Sequence, residues 1–261
     1  MGIIQSIILG ITQGITEFLP ISSSGHLILI PKIFGWNDPG LSFTIALHWG
    51  TLFGVIGYFY KDWLKIFKNA FIYSDNSIDN NQNKILYFII IATIPGAFAG
   101  YFLESKAETI FRNPILVSVT LIVAGIILFI SDIMGEKNRQ ISSITLKSAV
   151  LVGLAQAIAI VPGVSRSGIT IAAAMFLGLS RKDSAHFSFL LATPIILGAG
   201  LVKLPDILNS GVDNIFIAGF LFSAIAGFFS IKWLLKYVQT KNYFIFVIYR
   251  IILGMVFLIF I

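Results

Sequence analysis

The sequence predicts an all-α polytopic membrane protein, an inverted-topology repeat in which each half is a re-entrant helix hairpin plus three transmembrane helices. Three observations predict it. Of 261 residues, 57% are hydrophobic and 11% charged, with a mean hydropathy of +0.91, whereas a soluble globular chain carries about 25% charged residues. A sixteen-residue stretch occurs twice without a gap: residues 10–25 read GITQGITEFLPISSSG and residues 153–168 read GLAQAIAIVPGVSRSG. Lysine and arginine, finally, divide unevenly between two sets of connections, as the two sides of a membrane require.

Residues 3–19 are apolar, but Pro20 and a serine cluster interrupt them, and only about eleven apolar residues follow, at 25–35. Crossing about 30 Å of hydrocarbon takes roughly 20 residues, so a stretch this short is re-entrant rather than spanning. The segment is predicted to form a helix–loop–helix hairpin that returns to its own side. Spans follow at 41–60, 84–103 and 114–131, and the Asn- and Asp-rich connection 61–83 reads as an exposed loop. The second half repeats the order. Residues 147–161 lead to Pro162, a serine/arginine loop and the short stretch 168–179; spans are then expected at 184–203, 213–233 and 243–261. One integral membrane domain, 1–261, is expected, with pseudo-repeat halves at about 1–133 and 144–261.

A hairpin plus three spans is an odd number of crossings, so the second copy must insert upside down. The loops 61–84, 132–147, 179–184 and 232–242 would then share one side, where they hold twelve Lys and Arg. The opposite side holds four: Lys32, Lys106, Arg112 and Lys203. Twelve against four places the first set in the cytoplasm and both termini outside. The two hairpins dip from opposite faces and their serine loops can meet. Non-helical backbone at that depth is tolerated only where it lines a polar cavity.

Composition also excludes functions. The chain has no cysteine, which removes disulfides and thiolate metal sites. Its formal charge of +6 suits loop lysines near anionic lipid, and no basic-aromatic run points to nucleic acid. The N-terminus has neither a charged leader nor a small-residue cleavage site, so no removable signal peptide is expected.

The repeat copies have diverged into complementary halves. Glu17 aligns with Ile160, Ser23 with Arg166 and His26 with Ile169. Gln13 and Glu17 stand four apart on one helix face, and a carboxylate in an apolar segment is costly and usually functional; the plainer alternative is a capping carboxylate bonded to nearby serines. Ser22, Ser23 and Ser24 precede a short helix beginning near Gly25, where hydroxyls and free N–H groups make an anion pocket. His26 falls in its first turn. Arg166 cannot face lipid, and its fork suits two phosphate oxygens; the alternative is a buried salt bridge to Glu17. Ser165, Ser167, Gly168 and Thr170 add donors around it, and Gly163 and Gly168 let backbone approach a ligand. Arg250 and His186 are read as snorkelling or structural residues, His48 as a third polar contribution, and Asp183 as a helix-start carboxylate.

These residues carry a resemblance to the undecaprenyl-diphosphate phosphatases of bacteria, the bacitracin-resistance proteins. QGITEFLPISSSGH at 13–26 is similar to that family's E/Q-xxx-E element with its serine–glycine–histidine run, and PGVSRSGIT at 162–170 to its PGxSRSxxT element. Gln13 departs from the common Glu, Ser24 from the usual Thr, and Asp183 from a common Glu. The resemblance implies a bacterial inner-membrane hydrolase that converts undecaprenyl diphosphate to the monophosphate carrier lipid and inorganic phosphate, recycling it for cell-wall synthesis. A divalent cation, Mg²⁺ or Ca²⁺, is expected at Glu17 with Gln13 as a further ligand, together with a lipid substrate, membrane lipids and a homodimer as partners. The nucleophile is open between Ser23, His26 and water; one arrangement has Ser23 attacking with His26 as base and Glu17 orienting the imidazole. The competing class is a transporter or flippase of polyprenyl phosphate or another anion, because inverted repeats with broken helices are typical of transporters. Transport, however, needs no nucleophile beside the arginine.

Overall fold

The computed structural model describes residues 1–71, 84–205, 211 and 213–260. Ten α-helices and two short 3₁₀ turns account for the regular structure among them. In chain order the helices are α1 (Ile3–Phe18), α2 (Ser23–Ile33), α3 (Gly40–Phe71), α4 (Ile85–Glu108), α5 (Pro114–Met134), α6 (Leu146–Ile158), α7 (Arg166–Phe176), α8 (Arg181–Val202), α9 (Asn214–Tyr237) and α10 (Phe244–Phe260). The all-α expectation holds, and α3, α4, α5, α8 and α9 each contain a stretch long and apolar enough to cross a membrane.

Two boundaries differ from the sequence reading. The sixth expected span, 243–261, is a helix of only 17 residues, which rises about 26 Å and falls at the short end of what crosses a bilayer. Helix α3 runs to Phe71, through residues read as loop. The segment KDWLKIFKNAF is amphipathic: Ile66 is buried while Lys61 and Lys65 are exposed, so helical periodicity outlasts the drop in hydropathy. The rest of that connection, 72–83, and residues 206–210 lie outside the described residues.

The two broken stretches form hairpins, with α1 and α2 joined across 19–22 and α6 and α7 across 159–165. Each returns to the end of the bundle where it began. The start of α1 (Met1, Gly2, Gln5) and the residues after α2 (Trp36, Asn37, Asp38) line one cavity of about 410 Å³. Asp38 pairs with Arg112 at 2.8 Å, and Ser6 donates to the Ile215 carbonyl, so the chain start, the α2–α3 and α4–α5 connections and the start of α9 share that end. At the other end, the Arg139 N–H donates to the Gly178 carbonyl and the Ser180 N–H to Arg139, at 3.0 and 2.9 Å. Asp132 accepts from Arg181 at 2.5 Å and from the Tyr243 N–H at 2.8 Å. Asp183 is the expected helix-start carboxylate: its N–H is capped by Ser180, and its carboxylate also accepts from the Ile141 N–H.

Packing between the halves is reciprocal. Helix α1 lies against α9, and its repeat counterpart α6 lies against α4, while α5 packs on α10 and α3 on α8. Both hairpin contacts need a glycine. A Cβ on Gly10 would sit 2.5 Å from the Gly219 carbonyl oxygen, and one on Gly153 would sit 2.6 Å from that of Ala92. Repeat-equivalent glycines thus let two helix pairs approach closely, as small residues do between membrane helices.

Candidate active site

The two loops are built alike. Ser22 and Ser165, equivalent in the repeat, each cap the next helix, accepting from the Gly25 N–H at 3.4 Å and the Gly168 N–H at 3.2 Å. Both hold positive φ, 73° and 70°, a conformation non-glycine residues adopt rarely and mostly where surroundings enforce it. Each hydroxyl also bonds the serine two residues on: Ser22 with Ser24, and Ser165 with Ser167, both at 3.2 Å. Ser22, Ser24, Gly25, Ser165 and Gly168 therefore shape the turns, and the residue between each serine pair, Ser23 or Arg166, opens its helix.

Ser23 and Arg166 converge on Glu17. Arg166 Nη2 lies 2.9 Å from Glu17 Oε1, and Ser23 donates to Glu17 Oε2 at 2.6 Å. Gln13 Nε2 donates to the same Oε2 at 3.0 Å, and His48 Nε2 stands 3.7 Å away. The other arm of the guanidinium, Nη1, donates to the Ser188 carbonyl at 3.0 Å. Thr170 shares a 2.7 Å hydrogen bond with the Ser188 hydroxyl, and Ser167 donates to the Leu19 carbonyl, binding the second loop to the first. Glu17 is buried and Arg166 nearly so. Two opposite charges at this depth are tolerable because they pair with each other, Glu17 also accepts from Ser23 and Gln13, and Arg166 also donates to the Ser188 carbonyl. The salt bridge read as an alternative for Arg166 thus exists, beside a serine hydroxyl that could attack and a guanidinium that could bind phosphate.

His26 does not join that cluster. Its Nδ1 is 2.7 Å from the Ser22 carbonyl and its Nε2 is 2.6 Å from the Tyr249 hydroxyl. Both ring nitrogens are taken, so the expected relay from Ser23 to His26, oriented by Glu17, is replaced by a direct bond from Ser23 to Glu17. Arg250 is structural, not snorkelling. Fully buried, it donates to the carbonyls of Leu121, Pro20, Gly163 and Val164 at 2.9–3.1 Å, fastening both loops to α5. His186 stacks on Phe59 near Asp62, outside the site.

Sequence reasoning missed Tyr249 and Ser188. Nothing in FSF around Ser188 distinguishes a site carbonyl, whereas the YR pair at 249–250 inside an apolar helix was a usable signal. For a metal, the donor set is oxygen-rich: Glu17, Ser23 and the Gln13 side-chain carbonyl. Because Gln13 must turn its amide nitrogen to Glu17, its Oε1 is left buried without a partner. That orphaned acceptor beside a carboxylate fits a hard divalent cation, most of whose ligands would be water and phosphate oxygen. No group of three or more His, Cys, Asp or Glu capable of holding a metal occurs among the described residues.

The family described as bacitracin resistance protein BacA matches residues 6–256. The undecaprenyl-diphosphatase of Pelotomaculum thermopropionicum is 46% identical over 255 residues, covering 98% of this chain and 95% of the relative. Those of Moorella thermoacetica and Desulforudis audaxviator are 45% and 44% identical, over 97% and 96% of this chain and 96% and 95% of their own lengths.

Proposed function

The chain belongs to the bacitracin resistance protein BacA family, and we propose from this premise that it removes the terminal phosphate of undecaprenyl diphosphate at the meeting point of its two hairpins. The products are undecaprenyl phosphate, the carrier lipid recycled for cell-wall synthesis, and inorganic phosphate. The observation that carries the site assignment is the convergence on Glu17 of Ser23 from one loop and Arg166 from the other. Phosphoryl transfer asks little of a protein beyond positioning and neutralising charge on the equatorial oxygens.

In this reading the terminal phosphate competes with Glu17 for the Arg166 guanidinium, which suits two phosphate oxygens. Ser167, Thr170 and the N–H groups of Gly25 and Gly168 bond within the loops in this structure and would donate to phosphate only by exchanging those bonds. Glu17, released from Arg166, accepts the Ser23 proton as Ser23 Oγ attacks phosphorus. The bond from that phosphorus to the bridging oxygen breaks, and its electrons leave with undecaprenyl phosphate. Water then hydrolyses the phosphoserine, restoring Ser23 and releasing phosphate. The 2.6 Å Ser23–Glu17 bond favours this order over attack by His26, whose nitrogens are engaged elsewhere. Glu17 and Gln13 Oε1 would hold Mg²⁺ or Ca²⁺, which when bound would neutralise charge on the phosphate oxygens.

The membrane arrangement proposed is the inverted repeat, with both termini outside the bacterial inner membrane. Reciprocal packing of α1 on α9 and of α6 on α4, and hairpins returning to opposite ends, support it. The polyprenyl tail stays in lipid while the diphosphate reaches the loops.

Purified protein in detergent, given a polyprenyl diphosphate, is expected to release free phosphate; tight binding without release would instead favour a transporter. Acid quench during turnover is expected to trap an acid-stable phosphoenzyme that disappears in Ser23→Ala. An acid-labile one, lost in His26→Ala but kept in Ser23→Ala, would overturn the serine assignment.

A further inference from the structure

Tyr249 lies on α10, far in sequence from either loop, yet it makes a specific contact with the first. Its hydroxyl is 2.6 Å from His26 Nε2, with the two rings within 4° of parallel. The opposite nitrogen of the imidazole, Nδ1, is 2.7 Å from the Ser22 carbonyl. A carbonyl can only accept, so Nδ1 carries hydrogen in either protonation state of the ring. Nε2 then accepts from a partner when the ring is neutral and donates to one when it is charged. A tyrosine hydroxyl can do both, which neither a carbonyl nor an amide N–H can. The chain from Tyr249 through His26 ends on Ser22, the positive-φ residue immediately before Ser23.

The adjacent residue supports the same turn from its other side. Arg250 Nη1 donates to the Pro20 carbonyl at 3.1 Å. Two consecutive residues of α10 therefore hold residues 20 and 22, with Ser23 next in line. The second loop has Ile169 where the first has His26, and from α10 it receives only the Arg250 contacts, at Gly163 and Val164, while Thr120 of α5 donates to its Pro162 carbonyl at 2.7 Å. Two residues of α10 brace the loop carrying the serine, and one braces the loop carrying the arginine.

We infer that Tyr249 is a positioning residue for the reaction, acting through His26 to hold the Ser22 turn that aims Ser23 at phosphorus. The inference rests on the serine reading above. Near-attack geometry is sensitive to displacements of about 1 Å, so a hydrogen-bonded strut behind the nucleophile affects turnover more than binding.

Tyr249→Phe removes one oxygen and keeps the ring. In the purified full-length protein, kcat is expected to fall about 10- to 100-fold with KM within about twofold, since the Arg166 pocket is untouched. The effect must also pass through His26. In a double-mutant cycle, Tyr249→Phe should therefore add little to the loss already caused by His26→Gln. Nitrogen-15 histidine NMR gives a readout independent of activity. The chain has three histidines, and the signal missing in His26→Gln assigns His26. That signal should report a single Nδ1–H form in the wild type and a changed pattern in Tyr249→Phe. Wild-type kcat in Tyr249→Phe overturns the inference, as does a loss additive with His26→Gln or an unchanged His26 signal. Absence of phosphate release in the wild type would instead sink the phosphatase reading, and the NMR comparison would still decide whether the strut exists.

Discussion

At the residue scale the fork of Arg166 does two jobs at once, with Nη2 on Glu17 and Nη1 on the Ser188 carbonyl. Lysine keeps the charge but cannot span both partners or hold two phosphate oxygens. Arg166→Lys is therefore expected to be nearly as damaging as Arg166→Ala, each losing about 10²–10³ in kcat; phosphate release at equal folded protein measures this. Substantial rescue by lysine would reduce Arg166 to a salt bridge that only stabilises the fold. Gln13 and Glu17 lead to a second expectation. Glu17→Gln should abolish activity, whereas Gln13→Glu should keep it and lower the Mg²⁺ or Ca²⁺ concentration needed for half-maximal rate, because the orphaned Oε1 becomes a carboxylate oxygen. Full wild-type activity in excess EDTA would remove the ion from the mechanism and leave Glu17 only its role as acceptor of the Ser23 proton. The pairing of Glu17 with Arg166 was legible in the sequence because each is a costly charge in an apolar stretch. That His26 points elsewhere was not, since adjacency in sequence does not fix which way a ring turns on its helix.

At the element scale the hairpins were legible because Pro20 and Pro162 fall in the loops after their first helices and Ser22 and Ser165 cap the second ones. The caps follow from chemistry local to the chain: Ser22 accepts from the Gly25 N–H, and Ser165 from the Gly168 N–H. The helix–helix contacts depend on the partner's backbone, which no local pattern describes. Gly10→Ala and Gly153→Ala should each destabilise the fold by about 1–3 kcal/mol through overpacking, lowering the unfolding midpoint on the order of 5 °C. Gly100→Ala is the control, since a Cβ there meets nothing within 4 Å. Thermal unfolding in detergent checks the set, and a Gly153→Ala midpoint equal to that of Gly100→Ala would contradict the close approach of α6 to α4. The extension of α3 to Phe71 has a related origin. Hydropathy falls after Tyr60, but amphipathic helix needs only one apolar stripe, which Ile66 supplies.

At the scale of the whole molecule, the proposed orientation rests on charge asymmetry, and the absence of native cysteine makes it simple to measure. Single cysteines at Asn37 and Lys65, both exposed positions, should differ in intact cells. An impermeant thiol reagent is expected to label Asn37→Cys and leave Lys65→Cys unlabelled until the membrane is opened. The reverse pattern would invert the assignment, and labelling of both from outside would undo the separation of these ends. The sequence by itself determined the membrane class, the duplication, the broken hairpins and the chemical type of each loop, because hydropathy, proline and repeated motifs are properties of consecutive residues. Only the tertiary structure decided that Ser23 gives its hydrogen bond to Glu17, that His26 gives both its nitrogens to Ser22 and Tyr249, and that Arg250 fastens the two loops together. Those contacts join residues as many as 230 positions apart, and the atoms that meet there are set by how the helices pack, which no short window of sequence records.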